Sequence, residues 1–290
     1  MKLKDAIEIM RPINDLMGGL TVIIGILNTR TGISFPILLI NFILGVATYF
    51  FVAASGMIIN DYYDYPIDRI NRPERPIPRG SISLKQAKLL YILTFSIGVI
   101  LAIIHSLLFN LGIINIFLAI FFGFIGWLYA AWGKKSGFFG NIIVSISFSI
   151  GLIYGAVLNA SIVPIYIYFF FLTSFFLLLA REVVKGCEDI EGDKKEGVKT
   201  LAIKYGTPKA LNISIIFQIF AIVFFVLPIF TNIINKLLFT ISMIPGLVDV
   251  AYATILSIRG KTTKENLKRI SLLLKIGAFL GLLAFIFASI

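Results

Sequence analysis

Residues 33–68 read ISFPILLINFILGVATYFFVAASGMIINDYYDYPID, an apolar run that ends in a cluster of carboxylates. The apolar part, residues 33–59, is longer than the about 20 residues that a helix needs to cross the hydrocarbon core of a bilayer. Asp61, Asp64 and Asp68 follow it at spacings of three and four residues, which place side chains on one face of a helix. The stretch therefore predicts a membrane helix with acidic groups at one end.

The rest of the chain shares this apolar character. Of its 290 residues, 58% are hydrophobic and 14% are charged, whereas soluble domains are roughly 45–50% apolar. Runs long enough to cross a bilayer occur at residues 13–29, 33–59, 86–107, 111–132, 138–159, 163–184, 209–230, 236–258 and 266–289. We therefore predict an all-α integral membrane protein: one domain, residues 1–290, with nine transmembrane helices around a central cavity.

Positive charge is distributed unevenly between the two predicted sides of the membrane. The formal net charge is +11, and most lysines and arginines lie before the first predicted helix or in loops that share its side. Arg30 and Lys236 are the exceptions. Positive loops stay in the cytoplasm, which predicts a cell-membrane protein with a cytoplasmic N-terminus and active site and an external C-terminus. This sorting favours anionic membrane lipids over nucleic acid as the partner of the basic charge, and nothing points to an obligate protein partner.

The first acidic motif is followed at once by a run of arginines and prolines, residues 71–79. Pro66 disfavours a helical Tyr65, so we expect the helix to end there and Asp68 to lie in a cytoplasmic loop. Acids at a helix C-terminus are unfavourable unless a cation offsets their charge. Oxygen ligands suit Mg²⁺ and arginines suit phosphate oxygens. A metal-bound diphosphate would satisfy both, while a solvated acidic loop paired with its own arginines is the alternative.

A second acidic segment lies in the predicted cytoplasmic loop 185–208. Asp189 and Asp193 are again four residues apart. By itself, a segment of alternating acids and lysines is typical of a solvated surface. Together with the first motif, it predicts two carboxylate clusters that can hold two Mg²⁺ ions bridging one diphosphate.

These motifs resemble those of the UbiA superfamily of intramembrane prenyltransferases. The first family pattern, Asn-Asp-x-x-Asp-x-x-x-Asp, is matched by Asn60 and the three aspartates, and the second, Asp-x-x-x-Asp, by Asp189 and Asp193. A tyrosine before a basic turn, Tyr129 and Lys134-Lys135, also fits the family. The resemblance implies that the five aspartates are catalytic metal ligands for Mg²⁺, supported by Asn60. The substrate-binding residues it implies are Arg11, Asn14, Arg72, Tyr129, Lys134 and Lys185.

Within the superfamily, residues 9–14, 71–78 and 188–193 are most similar to the archaeal ether-lipid branch. That likeness implies a prenyl diphosphate donor and a lipid-like phosphate acceptor. The reaction would transfer a geranylgeranyl group from geranylgeranyl diphosphate to the free hydroxyl of geranylgeranylglyceryl phosphate, which forms the second ether bond of archaeal-type lipids. An aromatic-acceptor prenyltransferase of quinone biosynthesis is the alternative. A divalent-cation or lipid transporter is a more distant one, because transporters place ion ligands near the bilayer midplane.

Overall fold

The computed structural model describes residues 2–195, 197–260 and 262–290, apart from the side chains of Ile13, Asn14, Leu16, Met17, Asn71 and Lys195. All regular secondary structure in these ranges is helical. The α-helices are α1 (Leu3–Met10), α2 (Pro12–Leu27), α3 (Phe35–Asn71), α4 (Leu84–Phe109), α5 (Ile113–Ala131), α6 (Phe138–Ser149), α7 (Gly151–Val157), α8 (Ile165–Glu188), α9 (Ile190–Lys195), α10 (Leu201–Tyr205), α11 (Thr207–Val226), α12 (Lys236–Ile258) and α13 (Lys264–Phe287). Two short 3₁₀ helices cover Gly133–Ser136 and Leu227–Phe230.

Eight helical segments of the described chain are long and apolar enough to cross a membrane. They are α3, α4, α5, the consecutive α6 and α7, α8, α11 with the 3₁₀ turn after it, α12 and α13. The run expected at residues 13–29 forms α2, whose apolar part, Gly18–Leu27, is shorter than a full span. The all-α class is thus confirmed, while the ninth span and the central cavity stay predictions.

The chain divides into two compact units. The first comprises Met1–Ile26, Arg30–Trp132 and Tyr154–Ile162, and the second comprises Leu27–Thr29, Gly133–Ile153 and Val163–Ile290. The first acidic motif lies in the first unit and the second motif in the second. The expectation of a single domain stays a prediction.

In the first unit, α3 packs against both α4 and α5. Glycines allow close approach: a Cβ built on Gly126 would lie 3.4 Å from the Cα of Gly56. At the acidic end of α3, a buried cluster that includes Ile9, Ile58 and Ile77 joins α1, α3 and the loop before α4. The loop with the run of arginines and prolines, residues 72–79, is called the Arg-Pro loop below. It is therefore fixed against the end of α3 that carries the acids.

Helix α3 does not end at Pro66, and the prediction of a loop there was wrong. The helix continues to Asn71, where the N–H of Arg72 donates to the carbonyl of Asp68 at 2.9 Å. An interior proline costs a helix about 3 kcal/mol, and two interactions oppose that cost here. Tyr65 packs against the buried cluster, and Asp68 forms an ion pair. All three aspartates of the first motif therefore lie on one continuous helix.

In the second unit, α8 packs against α6, α11 and α13, and its inner face joins a buried cluster around Leu177 and Val184. Gly137, with a φ of +68°, directly precedes α6 and lies close to the segment before α10: a Cβ there would lie 2.0 Å from the carbonyl oxygen of Lys199. Lys199 also donates its N–H to the carbonyl of Lys135 at 3.4 Å. The basic turn and the chain that follows the second acidic motif are thus packed together.

Candidate active site

Asp61 is the most enclosed of the acidic groups in the first motif, with 2% of its surface exposed. Nη2 of Arg11 donates to its Oδ1, and Nη1 of Arg75 approaches the same oxygen at 3.3 Å. Burying an unpaired carboxylate costs free energy. The two guanidinium groups beside one oxygen of Asp61 offset that cost.

The other two acids of the motif also have partners on the first unit. Asp68, 4% exposed, accepts a hydrogen bond from Nη1 of Arg75 at 2.5 Å. Asp64, 7% exposed, accepts one from Nδ2 of Asn60 at 2.9 Å. Because Arg75 contacts both Asp61 and Asp68, it bridges carboxylates two helical turns apart on α3.

Arg11 reaches Asp61 from the junction of α1 and α2. It adopts a left-handed backbone conformation, with φ of 52° and ψ of 57°, and its N–H donates to the carbonyl of Glu8. Non-glycine residues adopt this conformation infrequently. Pro12, which cannot continue the hydrogen bonding of α1, begins α2 directly after it. The turn between the two helices therefore sets the direction of the guanidinium group.

A second ion cluster attaches α1 to the Arg-Pro loop. Nη2 of Arg79 donates to Oδ1 of Asp5 at 2.6 Å and to Oε2 of Glu8 at 2.9 Å. The hydrogen bond from Arg79 lowers the pKa of Asp5 below its usual value. The hydrogen bonds that Arg79 donates to Glu8 and Asp5 raise the pKa of Arg79. Because Arg11 directly follows the last residue of α1, this cluster also positions the arginine that pairs with Asp61.

The donors of the first motif fit Mg²⁺ by chemical type. Three carboxylates and the amide of Asn60 lie within nine residues of one helix, and hard cations of this kind take oxygen ligands. Across the described residues, however, no three His, Cys, Asp or Glu side chains are gathered closely enough to hold a metal. Arginines occupy oxygens of Asp61 and Asp68 instead, which leaves these acids buried and charge-balanced.

The second motif lies at the end of α8 and is more exposed. Asp189 follows the last residue of α8, and its carbonyl accepts the N–H of Asp193, on α9, at 2.9 Å. A Cβ on Gly192 would lie 2.7 Å from Oδ1 of Asp189, so the absent side chain leaves room for this carboxylate. Lys185 is exposed and pairs with Glu182 at 3.6 Å. These acids are therefore accessible to ligands from solvent.

The structure places the remaining expected substrate-binding residues in different settings. Arg72 caps the end of α3 with an exposed side chain, Tyr129 is half-buried on α5, and Lys134 is half-buried in the 3₁₀ turn Gly133–Ser136. The side chain of Asn14 lies outside the described residues. Of the expected basic contacts on the first unit, Arg11 is the one that the described chain pairs with an acid of α3.

Arg75 is the residue of this site that the sequence did not single out. Its only signal was membership of the Arg-Pro run, seven residues after Asp68. The loop turns back at that point because the N–H of Arg75 donates to the carbonyl of Arg72 at 3.1 Å and Ile77 is buried beyond it. The spacing of charged residues along the sequence does not by itself predict such a turn.

The site consists of buried carboxylates paired with arginines at the end of a long apolar helix. Such a site is typical of an intramembrane protein that binds a multiply charged ligand. Comparison with known proteins gives the particular class. Residues 19–287 match the UbiA prenyltransferase family. The chain therefore belongs to this family and is a multi-pass membrane prenyltransferase.

Curated relatives and solved structures narrow the position within the family. The chain is 36% identical to digeranylgeranylglyceryl phosphate synthase from Methanosphaera stadtmanae over 96% of this chain and 97% of that protein. It is also 36% identical to the synthase from Saccharolobus solfataricus, over 100% and 98%. A solved structure of digeranylgeranylglyceryl phosphate synthase in membranes matches with a TM-score of 0.86 and 31% identity, covering 99% of this chain and 98% of that one.

A more distant solved structure shares the fold. It is a UbiA homologue from Archaeoglobus fulgidus, bound to GPP and Mg²⁺, with a TM-score of 0.68 and 19% identity over 97% of this chain and 99% of that one. The sequence-based recognition of the superfamily is thus confirmed over the whole chain.

Proposed function

We propose that this chain transfers a geranylgeranyl group from geranylgeranyl diphosphate to the free hydroxyl of geranylgeranylglyceryl phosphate. The observation that carries the proposal is the set of three buried aspartates on α3 with Arg11 and Arg75 beside them. Relatives similar over nearly their whole length are digeranylgeranylglyceryl phosphate synthases. The charged site suits a diphosphate, and the relatives act in ether-lipid synthesis. Both observations support geranylgeranyl transfer to the glycerol phosphate.

The arginines of the first unit are suited to the diphosphate. Arg11 uses one Nη for Asp61, and Arg75 uses one Nη for Asp61 and Asp68. Within the described chain, their other N–H groups have no acceptor and remain available for phosphate oxygens, which guanidinium groups bind in a bidentate manner. Arg72, Lys134 and Lys185 carry further positive charge that would stabilise the leaving diphosphate.

Mg²⁺ would be held by Asp61, Asp64, Asp68, Asp189 and Asp193, with Asn60 in support. Bound there, it would neutralise negative charge that develops on the diphosphate as the allylic C–O bond breaks. The aspartates would position the cation, and the three on α3 are buried. Tyr129 would contribute an aromatic face that stabilises the allylic carbocation, and the side chain of Asn14 is proposed to contact substrate.

Transfer by purified protein in detergent tests the proposal. Geranylgeranyl diphosphate is supplied with Mg²⁺ or with EDTA, and the acceptor is geranylgeranylglyceryl phosphate or 4-hydroxybenzoate. We expect metal-dependent product with the glycerol phosphate alone. Product with only the aromatic acid would instead assign the protein to quinone biosynthesis, and metal flux into protein-loaded vesicles without transfer would indicate a transporter.

Matched variants test the metal ligands. Asp64→Ala and Asp193→Ala should each reduce turnover by about 10²–10³-fold or more, since each removes a proposed ligand of the cation that would stabilise the leaving diphosphate. Glu191→Ala is the control: it removes an exposed acid from α9, two residues from Asp193, and should leave turnover within about twofold. Near-normal turnover of either aspartate variant would refute its assignment.

We also propose that the acidic ends of α3 and α8 face the cytoplasm of the cell in its plasma membrane. Lysines and arginines concentrated at that side support this orientation. Labelling of single cysteines is the test, because the chain has one natural cysteine, Cys187, which is buried. In a Cys187→Ser background, a cysteine at Ser81 should react only with reagents that reach the cytoplasm.

A further inference from the structure

A groove of about 470 Å³ lies on the first unit, between α4 and α5 and over the inner part of α3. Lys88, Tyr91 and Phe95 form the α4 wall, and Phe124 and Trp127 stand on the α5 wall. The groove is open on its outer side, where Phe124 is 52% exposed. In a membrane protein, an exposed apolar wall of this kind faces lipid chains.

Glycine packing shapes the walls of the groove. A Cβ on Gly123 would lie 2.0 Å from Cε2 of Phe95, so the Phe95 ring rests in the space that Gly123 leaves on α5. Tyr91 stacks parallel to Phe95, with ring centroids 6.3 Å apart and an interplanar angle of 6°. The rings of Phe124 and Trp127 are 5.7 Å apart on the opposite wall. These contacts hold the aromatic walls of the groove in place.

Polar residues also line the groove, and on the α4 wall Lys88 and Tyr91 precede Phe95, nearer the first turn of the helix. Lys88 is the one charged residue among those that line it, and it forms no ion pair with any described residue. Tyr62, Tyr63 and Tyr91 also line the groove, and in the described chain their hydroxyls have no hydrogen-bond partner. An unpaired cation beside free hydroxyl donors is complementary to a phosphate group.

The groove is distinct from the acidic face of α3. Tyr62 and Tyr63 lie between Asp61 and Asp64 in the sequence, and successive residues are turned by about 100° around a helix. The tyrosines therefore point away from the side that carries the aspartates. Arg11 and Arg75, which pair with the aspartates, do not line the groove.

We propose that this groove binds an anionic membrane phospholipid, with its phosphate at Lys88 and one chain along Phe95 and Phe124. Lys88 lies four residues after the first residue of α4, about 6 Å along the helix, at the depth where a lysine reaches the headgroup region. A groove that combines one charged residue with long aromatic walls is more complementary to a lipid than to a soluble anion. The inference does not depend on the proposed prenyl transfer.

The two tryptophans of the chain allow a direct binding measurement. Trp132→Phe leaves Trp127, on the groove wall, as the sole tryptophan, which is excited selectively over the tyrosines. This protein is placed in phosphatidylcholine vesicles that contain a minor fraction of lipid with brominated chains, either phosphatidylglycerol or phosphatidylcholine. We expect the anionic brominated lipid to quench Trp127 at about fivefold lower mole fraction than the zwitterionic one.

Variants of equal net charge distinguish specific binding of anionic lipid at Lys88 from general attraction of anionic lipid to a basic protein. In the Trp132→Phe background, Lys88→Gln should abolish the preference and Lys88→Arg should keep it. Lys85→Gln removes another exposed lysine, one turn away, that does not line the groove, and it should also keep the preference. Unfolding midpoints confirm that each variant is folded. No anionic preference, or equal losses in Lys85→Gln and Lys88→Gln, would overturn the proposal.

Discussion

Nη1 of Arg75 lies 2.5 Å from Oδ2 of Asp68 and also contacts Asp61, so a loop residue links two turns of α3. The side chains of Arg75 and Asp68 are 14% and 6% exposed. Both charges are therefore largely removed from water, and each depends on the other for compensation. The same contact fixes the Arg-Pro loop and places positive charge beside both acids.

Arg75→Gln should strongly destabilise the protein in EDTA. The change leaves Asp68 buried without its cationic partner, and breaking a buried pair in this way costs roughly 3–5 kcal/mol. We expect a smaller loss in Mg²⁺, because a cation bound to the same aspartates would compensate their charge. The free energy of unfolding in detergent, with and without metal, measures both effects.

Arg72→Gln is the control for Arg75. Arg72 is exposed and forms no ion pair within the described part of the chain, so its replacement should change the free energy of unfolding by less than about 0.5 kcal/mol. Equal destabilisation by the two substitutions would show that Arg75 acts through general charge and not through Asp68.

The sequence predicted the helices better than it predicted the contacts of loop side chains. Apolar length alone located residues 236–258, which form α12 with the same limits. The end of α3 was missed because ion pairing and packing oppose the cost of Pro66, and neither is visible in local sequence. Choosing Arg75 over Arg72 as the partner of the acids requires knowing that the loop folds back over buried Ile77, which is a tertiary property.

The Asp5–Arg79 contact should make the anchoring of α1 dependent on pH. The folded-state pKa of Asp5 lies below its ordinary 3.8, so its stabilising effect is present above about pH 4 and is lost as pH falls through the lowered pKa. The difference in unfolding midpoint between wild type and Asp5→Asn should therefore shrink between about pH 6 and about pH 3.

Glu74→Gln is the matched control, since it removes an exposed acid from the same loop. Its midpoint should differ from that of wild type by a small amount that stays nearly constant over the same pH range. A constant difference for Asp5→Asn as well would rule out the ion pair as the source of the effect.

Gly137 and Gly197 should respond differently to alanine, although both have positive φ. Either substitution incurs a left-handed backbone cost of roughly 1–2 kcal/mol. At Gly137 the new Cβ would also lie 2.0 Å from the backbone oxygen of Lys199, whereas no atom lies within 4 Å at Gly197. Gly137→Ala should therefore be more destabilising by about 1–3 kcal/mol.

Proteolysis near Lys199 gives a local readout of this contact. The segment should become more susceptible in Gly137→Ala because the clash separates it from the turn at Lys135, while Gly197→Ala should be cut at nearly the wild-type rate. Equal stability and equal cleavage of the two variants would contradict the close approach at Gly137.

A buried polar network in the first unit should show measurable coupling between Asn41 and His105, whose Oδ1 and Nε2 are 2.9 Å apart. Nδ2 of Asn41 donates to the carbonyl of Leu158 and to Oδ1 of Asn159, so its Oδ1 is left to accept and His105 donates from Nε2. Both residues are almost fully buried. In a cycle of Asn41→Leu, His105→Phe and the double variant, the double variant should be more stable than the sum of single losses predicts. Hydrogen bonds between membrane helices give coupling energies of about 0.6–1.7 kcal/mol, and strictly additive losses in the free energy of unfolding would show that the two side chains do not interact.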